Sequence, residues 1–296
     1  MMSNSLQTFE IYRPLLFSIA YRMLGSAMEA EDILQEAYVR YQNTSEGEIQ
    51  SPKAYLTTIV TRLCLDSLKS AKSRREEYPG IWLPEPILTG DTPAAILGRR
   101  ETISTAFLVL IENLSPVERA VFLLREVFDY SYAEIAEIIG KSQESCRQHY
   151  HRAKKYLVER RPRFEPAPDE QKKLVEGFFE ALSNGDIDGL AQLLAEDVSM
   201  RGDGGGKVPA TIRPLLGKEA VLRLLAGIYH LLPPGWRGEL LEVNGSPALA
   251  FFQGDELLFL TTFGFDKGRI QDIFNMLNPD KLAGIKYRSH SLSDYF

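Results

Sequence analysis

The stretch Ser131–Leu157 reads S-Y-A-E-I-A-E-I-I-G-K-S-Q-E-S-C-R-Q-H-Y-H-R-A-K-K-Y-L. Ala133, Ile135, Ala136 and Ile139 recur at helical spacing and give a short helix one apolar face. Gly140 supplies the left-handed residue of a tight turn, and Ser142 caps a second helix with Gln143–Tyr156 as its body. Two helices joined by a short Gly-containing turn form the helix-turn-helix pattern. From Lys141 to Arg161 seven Lys or Arg stand against Glu144 and Glu159, a local charge of +5 in a chain of net charge −6. A cationic helix in an acidic protein points to a phosphate backbone as its partner.

Length and composition frame that helix. The 296 residues allow two or three domains, and 44% hydrophobic with 25% charged residues is ordinary for a globular protein. Cys64 and Cys146 lie far apart within helical patterns, so they read as small buried residues of a reducing compartment. Met1–Glu10 lacks a basic start followed by an apolar core, and no apolar run approaches the ~20 residues of a membrane span. The expectation is a cytoplasmic protein without a membrane partner. Residues 1–163 carry 21 basic and 21 acidic side chains, whereas 164–296 carry 13 and 19. Nucleic-acid binding therefore belongs to the N-terminal part.

Within a first domain of residues 1–76, residues 6–76 read as nearly continuous helix. Phe9, Tyr12, Leu16, Ile19, Ala20, Met23 and Leu24 recur at steps of three and four until Gly25 stops the first helix. A second helix runs from about Met28 to Gln42 with an acidic start, Asn43–Gln50 is a polar loop, and Ser51-Pro52 opens a third that reaches about Lys72. Residues 77–95 form a Pro- and Gly-rich linker that carries Trp82 and Leu83, unusual residues for a spacer. Residues 96–163 make a second helical block containing the helix-turn-helix, and Pro166-Ala167-Pro168 marks the next boundary. Over 164–296 helices at Leu174–Leu182, Ile187–Leu194 and Lys218–Tyr229 accompany strands at Val198–Arg201, Gly238–Val243, Ala248–Gln253, Leu257–Phe265 and Arg269–Leu277. The turns Asn244-Gly245, Gln253-Gly254-Asp255 and Asp266-Lys267-Gly268 are hairpin chemistry. The expected architecture is multidomain: two all-α domains followed by an α+β cone.

Three segments carry a family resemblance: A-E-D-I-L-Q-E-A-Y-V-R-Y (Ala30–Tyr41), P-K-A-Y-L-T-T-I-V-T-R-L-C-L-D (Pro52–Asp66) and L-S-P-V-E-R-A-V-F-L-L-R (Leu114–Arg125). In this order they resemble an extracytoplasmic-function sigma factor over about residues 6–160. The remainder resembles a SnoaL-like domain of the NTF2-like cone fold. W-L-P-E-P (Trp82–Pro86), D-G-G-G-K (Asp203–Lys207) and N-P-D-K-L (Asn278–Leu282) are the short motifs of the sigma-J-like subgroup.

The resemblance implies a subunit that docks on core RNA polymerase and reads promoter DNA at two points. Asp32, Gln35, Glu36 and Arg40 form a polar stripe that it assigns to the polymerase. Asn43, Ser51, Lys53, Tyr55, Thr58, Arg62, Asp66 and Lys69 are the candidates for the −10 element. A loop with cations and small polar groups suits capture of an unstacked base, and Tyr55 is equally placed to be core. Gln143, Glu144, Arg147, Gln148 and His151 lie where a recognition helix meets base edges of the −35 element. Arg pairs with guanine and Gln with adenine, while Arg152, Lys155 and Arg160 suit phosphates. Ala153, Tyr156 and Leu157 read as the packing face of that helix. His149 and His151 fall on different faces and lack partner ligands, so no metal is assigned.

Trp82, Leu83, Pro84, Glu85 and Pro86 read as a stiff apolar hook. Its expected docking surface comprises Asp203, Gly204, Gly205, Gly206 and Lys207 with Asn278, Pro279, Asp280, Lys281 and Leu282. The cone offers Arg201, Asp203, His230, Asp255 and Asp272 as polar groups, with no motif that pairs two of them for catalysis. A protein-contacting regulatory module is preferred over a pocket for a small-molecule ligand, and no catalytic residue or cofactor is assigned. The alternative is a helix-turn-helix regulator with a ligand-sensing or enzymatic domain, which leaves Ala30–Tyr41 unexplained.

Overall fold

A computed structural model describes residues 4–44, 49–89, 103–160, 166–231 and 234–285. Glu46 and Glu48 of the polar loop, the linker beyond Thr89 and the Arg161-Pro162 boundary lie outside the described residues, as do the side chains of 71–76 and 229–231. Two compact units emerge. The first takes its described residues from Met1–Glu76, Thr92–Ile103 and Phe107–Arg161, the second from Glu77–Asp91, Ser104–Ala106 and Pro162–Phe296.

In the first unit, α1 (Asn4–Leu24), α2 (Ala27–Gln42) and α3 (Pro52–Glu76) pack through Leu16, Ile19, Met23, Leu34, Leu56, Val60 and Cys64, all buried. Gly25 at φ 71° ends α1, and the Ser26 hydroxyl caps α2 by accepting from the Glu29 N–H at 3.1 Å. Arg22 is 1% exposed, its guanidinium donating to Ser18 and lying 5.7 Å from the Phe128 ring. Burial lowers its pKa to about 10, so it stays protonated at neutral pH.

The second helical block adds α4 (Thr105–Glu112), α5 (Pro116–Glu126), α6 (Tyr132–Ile139) and α7 (Gln143–Arg160). Capping boxes start α5 (Ser115 with Glu118) and α6 (Ser131 with Glu134). Gly140 at φ 67° makes the turn, and Ser142 caps α7 by accepting from the Ser145 N–H at 3.1 Å. The apolar faces differ from the expected ones. In α6, Ile135 and Ile138 are buried and Ala133 is exposed, because the face turned inward is centred on the two isoleucines. In α7 the buried set is Cys146, Tyr150, Ala153 and Leu157, with Tyr156 only half-buried. Steps of four, three and four place those residues on one stripe that Tyr156 flanks.

The second unit begins with α8 (Pro168–Asn184) and α9 (Ile187–Leu193), and α10 (Lys218–Leu231) follows two strands. Its mixed sheet runs β2-β1-β6-β5-β4-β3, where β1 is Leu194–Asp203, β2 Leu215–Leu216, β3 Trp236–Val243, β4 Ser246–Gln253, β5 Glu256–Asp266 and β6 Arg269–Met276. β1 is parallel to β6 and the other pairings are antiparallel. β1 outruns the expected Val198–Arg201 because pairing with β6 continues to Asp203↔Met276. Asn244-Gly245 (φ 51° and 70°) and Lys267-Gly268 (φ 50° and 71°) are two-residue hairpin turns. One sheet face closes over α8–α10. Phe178, Phe251, Phe263 and Phe265 fill that side, with Phe251 stacked on Phe259 at 4.3 Å.

The two capping boxes make the helix-turn-helix acid-sensitive. Hydrogen bonds from Ser131 hold the Glu134 carboxyl below its usual 4.5. For Glu118, burial pushes upward, but the bonds from Arg152 and Ser115 outweigh it and the net shift is also downward. A depressed carboxyl stabilises the fold above its unfolded value and loses that contribution as pH falls through the folded one. Thermal unfolding followed between pH 6 and pH 3, a range of about three units around the carboxylate values, should show Tm falling below about 4.5. Glu134→Gln, which keeps the reciprocal cap without a titrating group, should flatten that fall.

Candidate nucleic-acid interface and linker latch

The recognition helix presents all its expected readers to solvent: Gln143, Glu144, Arg147, Gln148, His151, Arg152 and Lys155 are exposed. Their situations differ. Arg152 donates to Glu118 at 2.7 Å and to Nδ1 of His149 at 2.8 Å, so that ring nitrogen is the acceptor. Burial, then the Arg152 charge, lowers the His149 pKa and keeps the ring neutral. Lys154 reaches Tyr150 at 3.0 Å, and Arg160 lies 4.1 Å from the Tyr156 ring. His149 is half-buried and His151 exposed, and among the described residues no three His, Cys, Asp or Glu gather as metal ligands.

The −10 candidates lie on α3 and its entry. Asn43 is exposed at the end of α2, and Ser51 accepts from the Ala54 N–H at 3.4 Å. Tyr55 is half-buried, tied to Thr44 by a 2.9 Å hydroxyl contact and 6.4 Å from the Tyr41 ring. It braces the base of the loop instead of entering the core. Thr58 donates to Ala54 O at 2.8 Å, while Lys69 pairs with Asp66 at 2.8 Å in the open.

Lys53 and Arg62 are already engaged. Lys53 Nζ lies 5.5 Å from the Tyr130 ring, whose hydroxyl is 3.0 Å from Thr57 Oγ1. Arg62 donates from Nε to Ile138 O at 2.8 Å and from Nη2 to Glu137 O at 3.0 Å, the last carbonyls of α6. Arg119 of α5 returns the contact, donating to Met23 O at 2.6 Å near the end of α1 and to Glu112 O at 2.8 Å at the end of α4. Each guanidinium satisfies carbonyls that helices leave without a partner, at the negative end of the helix dipole. Arg119 and Tyr130 were not legible as such staples, since an Arg in an apolar helix and a Tyr in a turn have many fates.

On α2 the stripe of Asp32, Gln35, Glu36 and Arg40 is exposed, with Arg40 bonded to Glu36 at 2.8 Å. Val39, 51% exposed, lies in the same stripe.

In the second unit the linker meets both cone motifs on one buried carboxylate. Asp203, 0% exposed, accepts on Oδ1 from Tyr78 OH (2.6 Å) and Gly205 N–H (3.0 Å). Its Oδ2 accepts from Leu83 N–H (2.8 Å) and Lys281 Nζ (2.7 Å). Lys281 Nζ also donates to Leu83 O at 2.6 Å and sits 4.1 Å from the Trp82 ring and 5.2 Å from that of Tyr78. Asn278 Nδ2 donates to Tyr78 OH at 2.9 Å, and its Oδ1 accepts from Asp280 N–H at 3.1 Å. A Cβ on Gly206 would stand 2.5 Å from Pro79 Cγ, and one on Gly205 would overlap the Asn278 amide. The glycines thus let the two segments close in. Lys207 pairs with Asp280 at 2.6 Å outside the node. Burial, then the hydrogen bond to Asp203, pushes the Tyr78 hydroxyl upward, so it remains a donor.

A second clasp follows along the chain. Ile87 N–H donates to Asn244 Oδ1 at 3.0 Å and Asn244 N–H to Ile87 O at 2.9 Å. Thr89 N–H donates to Glu242 O at 3.0 Å, and Leu88 bridges Val243. The linker thus forms a single antiparallel β-bridge at the end of β3. Tyr78, Thr89 and buried Asn244 were missed; Asn244 read only as a turn residue.

Of the cone's other polar candidates, Arg201 and Asp272 pair with each other. Arg201 bonds Asp272 at 3.0 Å and Ser199 at 2.7 Å, on the sheet face opposite the aromatic core. Asp255 is an exposed turn residue, and the His230 side chain lies outside the described residues.

Substitutions at the buried carboxylate and at Arg119 probe these geometries. Lys281→Met leaves Asp203 buried without a counter-charge, a loss of about 3–5 kcal/mol for a buried pair. In a Trp236→Phe background, Trp82 emission should shift to the red. Adding Asp203→Asn should restore much of the wild-type spectrum. Arg119→Ala removes buried charged hydrogen bonds, a cost of about 1.5–3 kcal/mol each. On the −10 role expected of Lys53 and Arg62, loosening the contact between the helical blocks should let the free protein bind a −10 single strand more tightly by fluorescence anisotropy.

A family model for Sigma-70 region 2 matches residues 8–74, one for Sigma-70 region 4 matches 104–157, and a SnoaL-like domain model matches 175–273. ECF RNA polymerase sigma factor SigJ of Mycobacterium tuberculosis is 36% identical over 289 residues, covering 93% of this chain and 92% of the relative. The probable ECF RNA polymerase sigma factor SigI of the same organism is 31% identical, covering 93% of each chain. The crystal structure of Mycobacterium tuberculosis extracytoplasmic function sigma factor SigJ superimposes with a TM-score of 0.78 at 33% identity, covering 94% of this chain and 98% of that one. Such factors bring core polymerase to promoters, and the polymerase performs the chemistry. On its three matched domains and its relatives over nearly the whole length, the chain belongs to the extracytoplasmic-function RNA polymerase sigma factors.

Proposed function

We propose that this sigma factor reads the −35 element through α7, opens the −10 element through α3 and its loop, and docks on core polymerase through α2. Its site of action is the cytoplasm, with the polymerase. The fused cone governs when those surfaces work by holding the linker. The observation that carries this reading is the convergence of Tyr78, Leu83, Gly205 and Lys281 on Asp203. Linker and cone motifs far apart in sequence share one carboxylate, so the linker path depends on the cone. The linker also joins the two helical blocks, so its path bears on the promoter spacing they can span. Among the described residues, Phe178, Phe251, Phe263 and Phe265 fill the helix-covered side of the sheet, which favours a protein-contacting cone over one built around a small-molecule ligand.

The test pairs a pull-down on core polymerase with run-off transcription from a promoter selected by the reconstituted holoenzyme. The full chain should bind core and transcribe. Val39→Asp should weaken core binding severalfold without lowering Tm, because it places a charge in an exposed apolar contact. Trp82→Ala should change both the compactness of the free protein in small-angle scattering and its transcription. Failure to bind core, or a Trp82→Ala variant unchanged in both respects, would overturn the proposal.

A further inference from the structure

We infer that Tyr132 is a positioning residue for promoter recognition, holding the Arg147 guanidinium ready for a guanine of the −35 element. The inference rests on the proposed role of Arg147 as a base reader. Bidentate pairing with guanine needs a guanidinium whose plane is set and whose N–H groups are unspent. The arginines of α7, and Lys154 beside them, divide on that criterion. Arg152 spends its donors on Glu118 and His149, Lys154 on Glu126 and Tyr150, and Arg160 faces Glu159 and Tyr156. Arg147 is exposed, and among the described residues its recorded contact is with the Tyr132 ring, 5.3 Å from Cζ to centroid.

A cation–π contact orients a guanidinium through its face and leaves the edge donors free. The ring is itself held. Tyr132 is half-buried at the first position of α6, meets Tyr150 edge-on at 5.9 Å, and lies 5.1 Å from Arg125 Cζ. Arg125 is fixed in turn by a 2.9 Å bond to Tyr130 O. The helix before the turn therefore sets the aim of a side chain on the helix after it. Pre-ordering of this kind reduces what binding must spend on immobilising a long side chain.

The experiment uses the full chain with core polymerase and a promoter library randomised over the −35 region, scored by transcript abundance. Wild type should select guanine at one position by roughly tenfold or more. Arg147→Ala should relax that position alone. Tyr132→Phe should keep the selection, and Tyr132→Leu should weaken it about two- to fivefold, the size of an exposed cation–π contact, with other positions unchanged. Pentafluorophenylalanine at 132 keeps the ring's packing while inverting its charge distribution. It should behave like Tyr132→Leu, which covers the case in which the leucine variant fails to fold. If Arg147→Ala relaxes no position, the base-reading role fails and the inference with it. If Arg147→Ala relaxes one and the fluorinated variant keeps full guanine preference, Tyr132 alone is refuted. Equal weakening at every position would also refute it, since that is the mark of a merely structural residue.

Discussion

A carboxylate removed from water is costly unless its charge and lone pairs are answered, and Asp203 is answered by four donors, one of them Lys281. That requirement ties the second unit together. Lys281 must enter from the helical turns at 279–285, so Asn278 has to start them in the right place. The linker must bring Leu83 N–H and Tyr78 OH, and Gly205 and Gly206 must leave room for Asn278 and Pro79. The three motifs are therefore parts of one electrostatic site. Losing one partner of such a pair is costly because the other charge stays buried, whereas hydrophobic replacement of both often leaves stability unchanged.

The first unit applies the same chemistry to backbone groups. Arg119 and Arg62 each donate to carbonyls at helix ends, in opposite directions between the helical blocks. The contacts that close the unit draw on Lys53 and Arg62, the side chains to which the proposed function gives the −10 element. Under that proposal closure and −10 contact compete for the same donors. Under the same proposal DNA gains only the difference between the two sets of bonds, and a ligand shifts an equilibrium only by such a difference.

Local chemistry made much of the fold legible. Ser142, Gly140, the capping boxes and the hairpin turns Asn244-Gly245 and Lys267-Gly268 each act over a few residues, so the helix-turn-helix and the hairpin succession β3 to β6 could be read from the chain, whereas β2 and the parallel pairing of β1 with β6 could not. The docking partners of Trp82 and Leu83 were legible only as motifs. Nothing local announces that a single Asp would join them. Tyr78, Asn244, Arg119 and Tyr130 escaped for a related reason: their contacts reach from 73 to 200 residues along the chain. Side-chain periodicity also misassigned individual faces. Tyr156 was expected to pack, yet Cys146 and Tyr150 hold the buried stripe, because an aromatic signals burial without specifying which side of a cationic helix turns inward.

The central claim is that the Asp203–Lys281 node holds the linker on the cone in the free protein. Native-state hydrogen exchange at the Leu83 amide tests it most directly, since that N–H donates to Asp203 Oδ2. The account predicts strong protection at Leu83, comparable to amides of β1, and loss of that protection in Lys281→Met. Exchange of the wild-type Leu83 amide at the rate of an unstructured linker would contradict it.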